Sequence, residues 1–388
     1  MAENDPKIVA TFNICIITVP FVNPIGVSFL SNFIDMIEPI SHKLFVITGK
    51  FPDRPNTKIQ IIRITGDEKK EIFLIRMAKY FIKQLRICFA LLKLSKKIEI
   101  VIFYIGTQKD IFPALCARLM RKKIIWVVTG LASEVEKKSS TFLLGKSILP
   151  LVYKAIENIN FHLADQLVLE PGNAMVQLGL NKFKNKIAFN YHSYIDSNQF
   201  KQMKKYDDRK NIIGYIGRLS PEKGVQDFVK AIPLILKKRS DLNFLIGGNG
   251  ALYDRIKDEM RILNLIDKVN LVGWISHEDL PKYLNDLKLI ALPSYTEGGV
   301  PAIIKEAMAC GTLTLVTPIA SSNIIKNGET GFVTIDHSPD MIAETAIKAL
   351  DYPFIDDVIN NALKLAKAYS FENVVQKYRH IISGVLIT

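Results

Sequence analysis

Short runs with an unbroken apolar core recur along this chain, separated by longer stretches whose apolar residues return every three or four positions. In the first half the short runs are "NICIITV" (13–19), "KLFVIT" (43–48), "IEIVIFYI" (98–105), "KIIWVVT" (123–129) and "DQLVLE" (165–170). A strand with one wet face would alternate apolar and polar residues. Runs apolar throughout predict a parallel sheet covered on both sides. The longer stretches predict helices near 25–38, 71–96, 110–121, 140–163 and 173–179.

The pattern lapses over "DSNQFKQMKKYDDRKN" (196–211), a polar segment that reads as an interdomain linker. It then restarts: "IIGYIGRL", a helix from Val225, "NFLIGG", a helix from Ala251, "VNLVGW", a helix from Glu278, "LKLIALP", a helix from Pro301, and "TLTLVT". Two successive βαβ arrays predict an α/β protein of two Rossmann-like, doubly wound lobes facing a cleft, residues 1–196 and 212 onward, joined by 197–211. A length of 388 residues suits two such domains better than one core. Ligands of doubly wound sheets bind beyond the carboxyl ends of the strands, so the loops there carry the candidate chemistry.

Composition narrows the picture a little. The chain is 48% hydrophobic and 23% charged, as a globular protein is, and its 51 Lys+Arg against 38 Asp+Glu give a formal charge of +13. Such a charge attracts anions: phosphorylated small molecules, acidic lipid surfaces or nucleic acid. Nucleic acid is disfavoured, because no recognised nucleic-acid module is present. Cys15, Cys88, Cys116 and Cys310 stand far apart in apolar surroundings, which excludes a disulfide framework and a Cys-based zinc site and fits a reducing cytoplasm. The start, with Glu3 and Asp5, lacks a basic leader region. No segment offers 18 uncharged apolar residues, and Lys146 and Lys154 interrupt the nearest candidate.

Three loops of the second half draw attention. "GRLSPEKG" (217–224) places Arg218, a planar fork of donors, and Lys223, a mobile point charge, between a strand and a helix, a pair suited to gripping a diphosphate. No D-x-D occurs that would hold a metal, so these cations would themselves neutralise a departing diphosphate. "IGGNG" (246–250) brings Gly248 and Gly250 to another strand-to-helix corner. "PSYTEGGVPAIIKEAMACG" (293–311) sets Glu297 before Gly298, Gly299 and Val300, and Glu306 inside the following helix. At 100° per residue Glu306 shares a side with Ala302, Ala309 and Cys310, away from Ile303, Ile304, Ala307 and Met308, so its carboxylate stands where a vicinal diol could approach. Taken singly, each acid also reads as an ordinary surface residue.

From about 212 to 332 the order GRLSPEKG, IGGNG, VNLVGW, LPSYTEGG, KEAMACG and NGETGF resembles the retaining glycosyltransferases of family four, the group 1 transferases of GT-B fold. The resemblance implies a nucleotide-diphosphate-sugar donor held mainly by the second lobe and an acceptor held mainly by the first. It implies Arg218 and Lys223 on the diphosphate, Glu306 on the ribose, Glu297 on the donor sugar, and Gly273, Trp274 and Ile275 bordering the base, with Gly217, Gly248, Gly250, Gly298, Gly299 and Val300 in the donor-binding loops. It further implies retention of configuration, neither metal nor cofactor, and a closing helix, 370–388, that returns from a second lobe of 212–369 to the first.

Three departures qualify it. Eight residues separate Glu297 from Glu306, one more than is usual in the family. The first-strand loop "PFVNPIGVS" (20–28) keeps only Gly26 where paired glycines are common. Thr129-Gly130 stands where a His-Gly pair is frequent, and a threonine hydroxyl can hydrogen-bond a sugar but cannot act as a base at neutral pH. These departures keep open a rival reading, a sugar-nucleotide-binding or scaffold protein that has lost chemistry. A nicotinamide-dependent oxidoreductase lacks its fingerprint, since "ITVPFVNPIG" supplies no G-x-G-x-x-G.

Arg76, Lys79, Lys83 and Arg86 fall at helical spacing in 71–96, beside Phe73, Tyr80, Ile87 and Leu91. Such a stripe suits an anionic membrane surface, each cation contributing about 1 kcal/mol, and would bring the first lobe to a glycolipid or lipid-linked acceptor at the inner face of the membrane. An ordinary solvated helix face reads the same way.

Overall fold

The computed structural model describes residues 12–18, 24–54, 58–64, 73–133, 149–172, 174–297 and 299–387. The chain divides into two compact units: residues 1–170, 175–193 and 374–388 form the first, and 171–174 with 194–373 the second.

The first unit is built on a seven-stranded sheet: β1 (Phe12–Ile17), β2 (Ser41–Thr48), β3 (Ile59–Arg63), β4 (Ile100–Phe103), β5 (Lys123–Val127), β6 (Gln166–Leu169) and β7 (Ile187–Phe189), in the order β3-β2-β1-β4-β5-β6-β7. Every pairing is parallel, as the continuous apolar runs require. All four residues of β4 are fully buried, and Trp126 on β5 stacks on its Phe103 at 4.2 Å between ring centroids. Helix α1 (Pro24–Ile37) leads leftward from β1 to β2. Helices α2 (Phe73–Leu94), α3 (Ile111–Leu119) and α4 (Leu149–Leu163) lead rightward from β3 to β6. Right-handed crossovers therefore place α1 on one face and α2, α3 and α4 on the other, where α3 packs between its neighbours. On the α1 face, Phe33 stacks on Tyr104 at 4.1 Å and meets the edge of Tyr378 at 5.6 Å. Of the helices expected at 140–163 and 173–179, residues 140–148 and 173 lie outside the described residues.

Helix α2 keeps part of the expected cationic stripe and corrects the rest. Ile87 and Leu91 are 3% and 0% exposed and face the sheet. Lys83 is spent on buried Asp110, with Nζ 2.9 Å from Oδ1 and 3.0 Å from Oδ2. Lys79 and Arg86 stay exposed, and the outward face also carries Ile82, Leu85, Phe89 and Leu92. Both sides of this helix are apolar, so periodicity alone cannot say which one meets the sheet. The side chains of Phe73 and Arg76 lie outside the described residues.

The second unit has a six-stranded parallel sheet in the order β10-β9-β8-β11-β12-β13: β8 (Lys210–Ile216), β9 (Asn243–Gly247), β10 (Val269–Gly273), β11 (Leu287–Leu292), β12 (Leu313–Val316) and β13 (Phe332–Val333). Helices α5 (Val225–Leu236), α6 (Tyr253–Ile262), α7 (Leu280–Asp286) and α8 (Ala302–Ala309) connect the first five, and α9 (Pro339–Leu350), α10 (Ile355–Lys367) and α11 (Phe371–Ile387) follow. From Val374 onward α11 belongs to the first unit.

The polar segment 197–211 is fastened to the second unit rather than standing free. Arg209, 4% exposed, donates through Nη1 to the carbonyls of Leu284 and Leu287 at 3.1 Å and to Thr312 Oγ1 at 2.9 Å. Its Nη2 reaches the carbonyls of Lys204 at 3.1 Å and Cys310 at 2.6 Å. Buried Asn285 accepts from Met203 N at 2.7 Å, and Phe200 is 2% exposed. A polar composition hid this, because a guanidinium can be buried when carbonyl and hydroxyl oxygens accept from its Nη groups.

Candidate functional site

The loops that follow β8, β9, β10 and β11 are tied to one another through their backbones. Gly217 N donates to Gly247 O at 3.0 Å, Leu219 N to Asn249 O at 3.0 Å, and Gly248 N to Gly273 O at 2.6 Å. Tyr295 N donates to Glu222 O at 2.9 Å. Two glycines make the approaches possible. A Cβ on Gly248 (φ +127) would lie 1.9 Å from Gly217 O, and one on Gly224 (φ +70) would lie 2.0 Å from Pro293 O. The three motifs that the sequence keeps apart thus form one loop platform at the carboxyl edge of the second sheet.

On this platform Lys223 and Glu297 meet. Lys223 Nζ lies 2.6 Å from Glu297 Oε1, with the side chains 19% and 10% exposed. Lys223 ends a single 3₁₀ turn (Pro221–Lys223), and left-handed Gly224 then starts α5. Tyr215, buried in β8, braces the turn by donating to Arg218 O at 3.0 Å. Arg218 reaches outward: its side chain is 62% exposed and makes only a 3.7 Å approach to Glu222. Glu222 is held below the usual carboxylate range, first by the hydrogen bond from Ser220 Oγ at 2.7 Å. Arg218 is therefore a loosely held cation, and Lys223 a fixed one.

Glu306 lies on α8 where the 100° spacing puts it. Ile304, Ala307 and Met308 are buried beneath, and Glu306 keeps 14% of its side chain exposed. Cys310, on Glu306's side by spacing, is fully buried, and Lys305 is 4% exposed with its Nζ 4.9 Å over the Tyr369 ring. Pro301 caps α8 from outside the helix, with no side-chain hydrogen bond to the first turn. Its leading N–H groups, with the positive end of the helix dipole, remain suited to an anion. Val300 is buried and Gly299 half-buried; Gly298 lies outside the described residues.

Sequence reasoning missed two partners. His277 Nε2 lies 3.1 Å from Glu306 Oε1, and this hydrogen bond, ahead of opposing burial, raises the histidine above its ordinary pKa. Tyr295 Oη donates to Asp227 Oδ2 at 2.7 Å, and burial followed by that bond pushes the phenol up to about 12. Nothing in the spacing could pair His277, on the loop after β10, with Glu306, on α8. The same loop carries left-handed Gly273, Trp274 with 79% of its surface exposed, and Ile275, whose Cδ1 would be 2.5 Å from a Cβ on Gly247. The open indole stands three residues before His277 in the chain.

The remaining expected residues lie in the first unit, beyond the carboxyl ends of β1 and β5. Gly26 is buried in the first turn of α1. Thr129 and Gly130 are half-buried, with Gly130 O accepting from Gln108 Nε2 at 3.1 Å. Among the described residues no group of three or more His, Cys, Asp or Glu side chains is arranged to hold a metal ion, and no helix is long and apolar enough to cross a membrane.

Residues 196–365 match the family model of the group 1 glycosyl transferases. The chain is 29% identical over 203 residues to an uncharacterized glycosyltransferase of Methanocaldococcus jannaschii, covering 51% of this chain and 50% of that one. It is 29% identical over 191 residues to the alpha-D-kanosaminyltransferase of Streptomyces kanamyceticus, covering 45% and 49%. The chain thus spans about half the length of the curated relatives it matches. Among solved structures, Anabaena HepE in complex with UDP and glucose superposes with a TM-score of 0.70 at 16% identity, over 96% of this chain and 99% of that one. The sucrose-phosphate synthase of Thermosynechococcus elongatus gives 0.69 at 16%, over 96% and 99%. Likeness at that identity shows the fold, which is GT-B with two Rossmann-like parallel-sheet lobes.

Proposed function

We propose that this chain, which belongs to the group 1 glycosyltransferases through residues 196–365, moves a sugar from a nucleoside-diphosphate sugar to a hydroxyl of a glycan, glycolipid or lipid-linked acceptor. Transfer keeps the anomeric configuration, uses neither a divalent metal nor a cofactor, and draws on the cytoplasmic pool of nucleotide sugars. One observation carries the reading: Lys223 is pinned by Glu297 at 2.6 Å on the platform that also carries Arg218, and the loop of Glu297 leads into α8, whose first turn has no side-chain cap.

Each group has a role that its setting supports. Arg218 and Lys223 take up the charge of the departing diphosphate, the mobile guanidinium closing on it and the fixed ammonium receiving it. The anomeric carbon–oxygen bond breaks with its electrons going to the phosphate oxygen. The acceptor hydroxyl bonds to the same face of that carbon and gives its proton to the leaving phosphate. Glu306 accepts hydrogen bonds from the ribose diol through Oε2 while His277 holds Oε1. Glu297 contacts hydroxyls of the donor sugar, and the backbone of Gly273 to Ile275 borders the base. The loop glycines, Gly217, Gly248 and Gly250 among them, let main chain approach the donor.

A thermal-shift panel of UDP-, GDP- and ADP-sugars, with and without chelator, tests the reading. Stabilisation by one base series, unchanged by chelator and accompanied by slow donor hydrolysis, is the expected result; no stabilisation by any of them overturns it. Thr129, a hydroxyl rather than a base, favours a second reading, a nucleotide-sugar binder without turnover. Donor binding with neither hydrolysis nor transfer is its signature.

A further inference from the structure

The outer surface of the first unit's α2–α3–α4 layer is apolar to an unusual degree. On α2 the exposed positions Ile82, Leu85, Phe89 and Leu92 repeat at three and four residues, and Leu85 and Phe89 are 61% and 60% exposed. The surface continues onto α3 through Phe112 and Leu115, with the Phe81 and Phe112 rings 6.0 Å apart across the two helices. It continues again onto α4 through Leu151 and Val152. Lys109 ties the layer together, its Nζ 5.9 Å over the Tyr80 ring of α2 and 5.6 Å over the Tyr153 ring of α4. An exposed apolar face running over three helices marks an interaction surface.

Charge identifies the occupant. The three helices hold one acid between them, Glu157, and it is buried, accepting from Ser133 Oγ at 2.6 Å. Around the face, Lys93, Lys96 and Lys97 are exposed at the carboxyl end of α2, and Arg121 lies just past α3. Lys93 lies over the Phe89 ring at 4.5 Å, an ammonium on the border of an apolar patch, which is how lysines sit at a bilayer surface. Two copies meeting through this face would bring lysine against lysine without an acid to pair them. A bilayer takes the apolar side chains and offers phosphates to the rim.

We propose that the α2–α3–α4 face docks on an anionic phospholipid bilayer, its exposed leucine, isoleucine and phenylalanine side chains entering the acyl region and its lysines meeting headgroup phosphates. The helices lie in the interface and do not cross it, consistent with the lack of a spanning helix among the described residues. This surface differs from the donor platform in unit and in chemistry, so it stands or falls independently of the enzymatic reading. It deepens that reading by bringing the first unit to a lipid-borne acceptor.

Cosedimentation of the full chain with vesicles, without donor or acceptor, tests it. Phosphatidylcholine vesicles containing phosphatidylglycerol should bind the protein about tenfold or more better than phosphatidylcholine alone, and salt should weaken binding. Leu85→Glu/Phe89→Glu should abolish that binding while leaving the melting transition and nucleotide affinity unchanged, both positions being exposed. Lys93→Ala/Lys96→Ala/Lys97→Ala should weaken binding and flatten its salt dependence. Equal binding by wild type and the Glu variant, or no binding to anionic vesicles, overturns the proposal. So does a wild-type dimer in sedimentation velocity that the Glu variant converts to monomer, which would assign the face to a second copy.

Discussion

Replacing Lys223 with alanine separates a structural from a functional use of its pair with Glu297. At 2.6 Å and an effective dielectric near 20, the gross Coulomb attraction is about 6 kcal/mol. Desolvation and residual exposure reduce the net coupling between such close groups to about 1–3 kcal/mol. Lys223→Ala and Glu297→Ala should each lower stability by about 2 kcal/mol, or about 4–8 °C in Tm for a unit of this size. The double variant should recover part of that loss, because no buried charge is left without its partner. Activity should not follow this symmetry: Lys223→Ala loses a further cationic contact to the leaving diphosphate, about 3 kcal/mol or roughly a hundredfold in kcat. Measurements are Tm for the four proteins of the cycle, and donor hydrolysis or transfer well below each Tm. A Lys223→Ala variant that melts early yet turns over donor at the wild-type rate would refute the assignment and leave Lys223 a structural cation.

Gly248→Ala forces a Cβ to within 1.9 Å of Gly217 O at φ +127, and should cost at least about 2 kcal/mol and weaken nucleotide binding. Gly130→Ala, with nothing within 4 Å of the new methyl, should stay within about 0.5 kcal/mol of wild type in the same melts. Arg209→Met strips five hydrogen bonds from buried acceptors and should destabilise the second unit by about 3–5 kcal/mol, read by urea unfolding. His277 has a folded-state pKa raised by Glu306, so its stabilising increment is full below its unfolded value, about 6.5, and fades as pH rises through the folded value. His277→Ala should therefore narrow the Tm difference from wild type between pH 6 and pH 9; a gap constant with pH contradicts the pairing.

The sequence made the two sheets legible because their central strands carry consecutive apolar residues rather than an alternation, a signal that burial on both faces explains. It concealed β3 and β7. "IQIIR" carries a glutamine and an arginine, and "IAF" is three residues long at a sheet edge. The outward lean of Glu306 followed from helical spacing, while its partner His277 is contributed by another strand's loop and no local rule reaches that far. Lys305 was missed for a related reason: a lysine reads as a surface residue until an aromatic ring, here Tyr369, covers its ammonium. On α2, basic and apolar residues occupy both arcs, so spacing alone could not say which arc the sheet would take.

The most direct measurement is a crystal structure of the chain with UDP or GDP bound. The account predicts diphosphate oxygens within about 3 Å of Lys223 Nζ and the Arg218 guanidinium, and ribose hydroxyls on the Glu306 carboxylate. A nucleotide bound away from the loops after β8 and β11, or bound there with both cations turned from its phosphates, would contradict it.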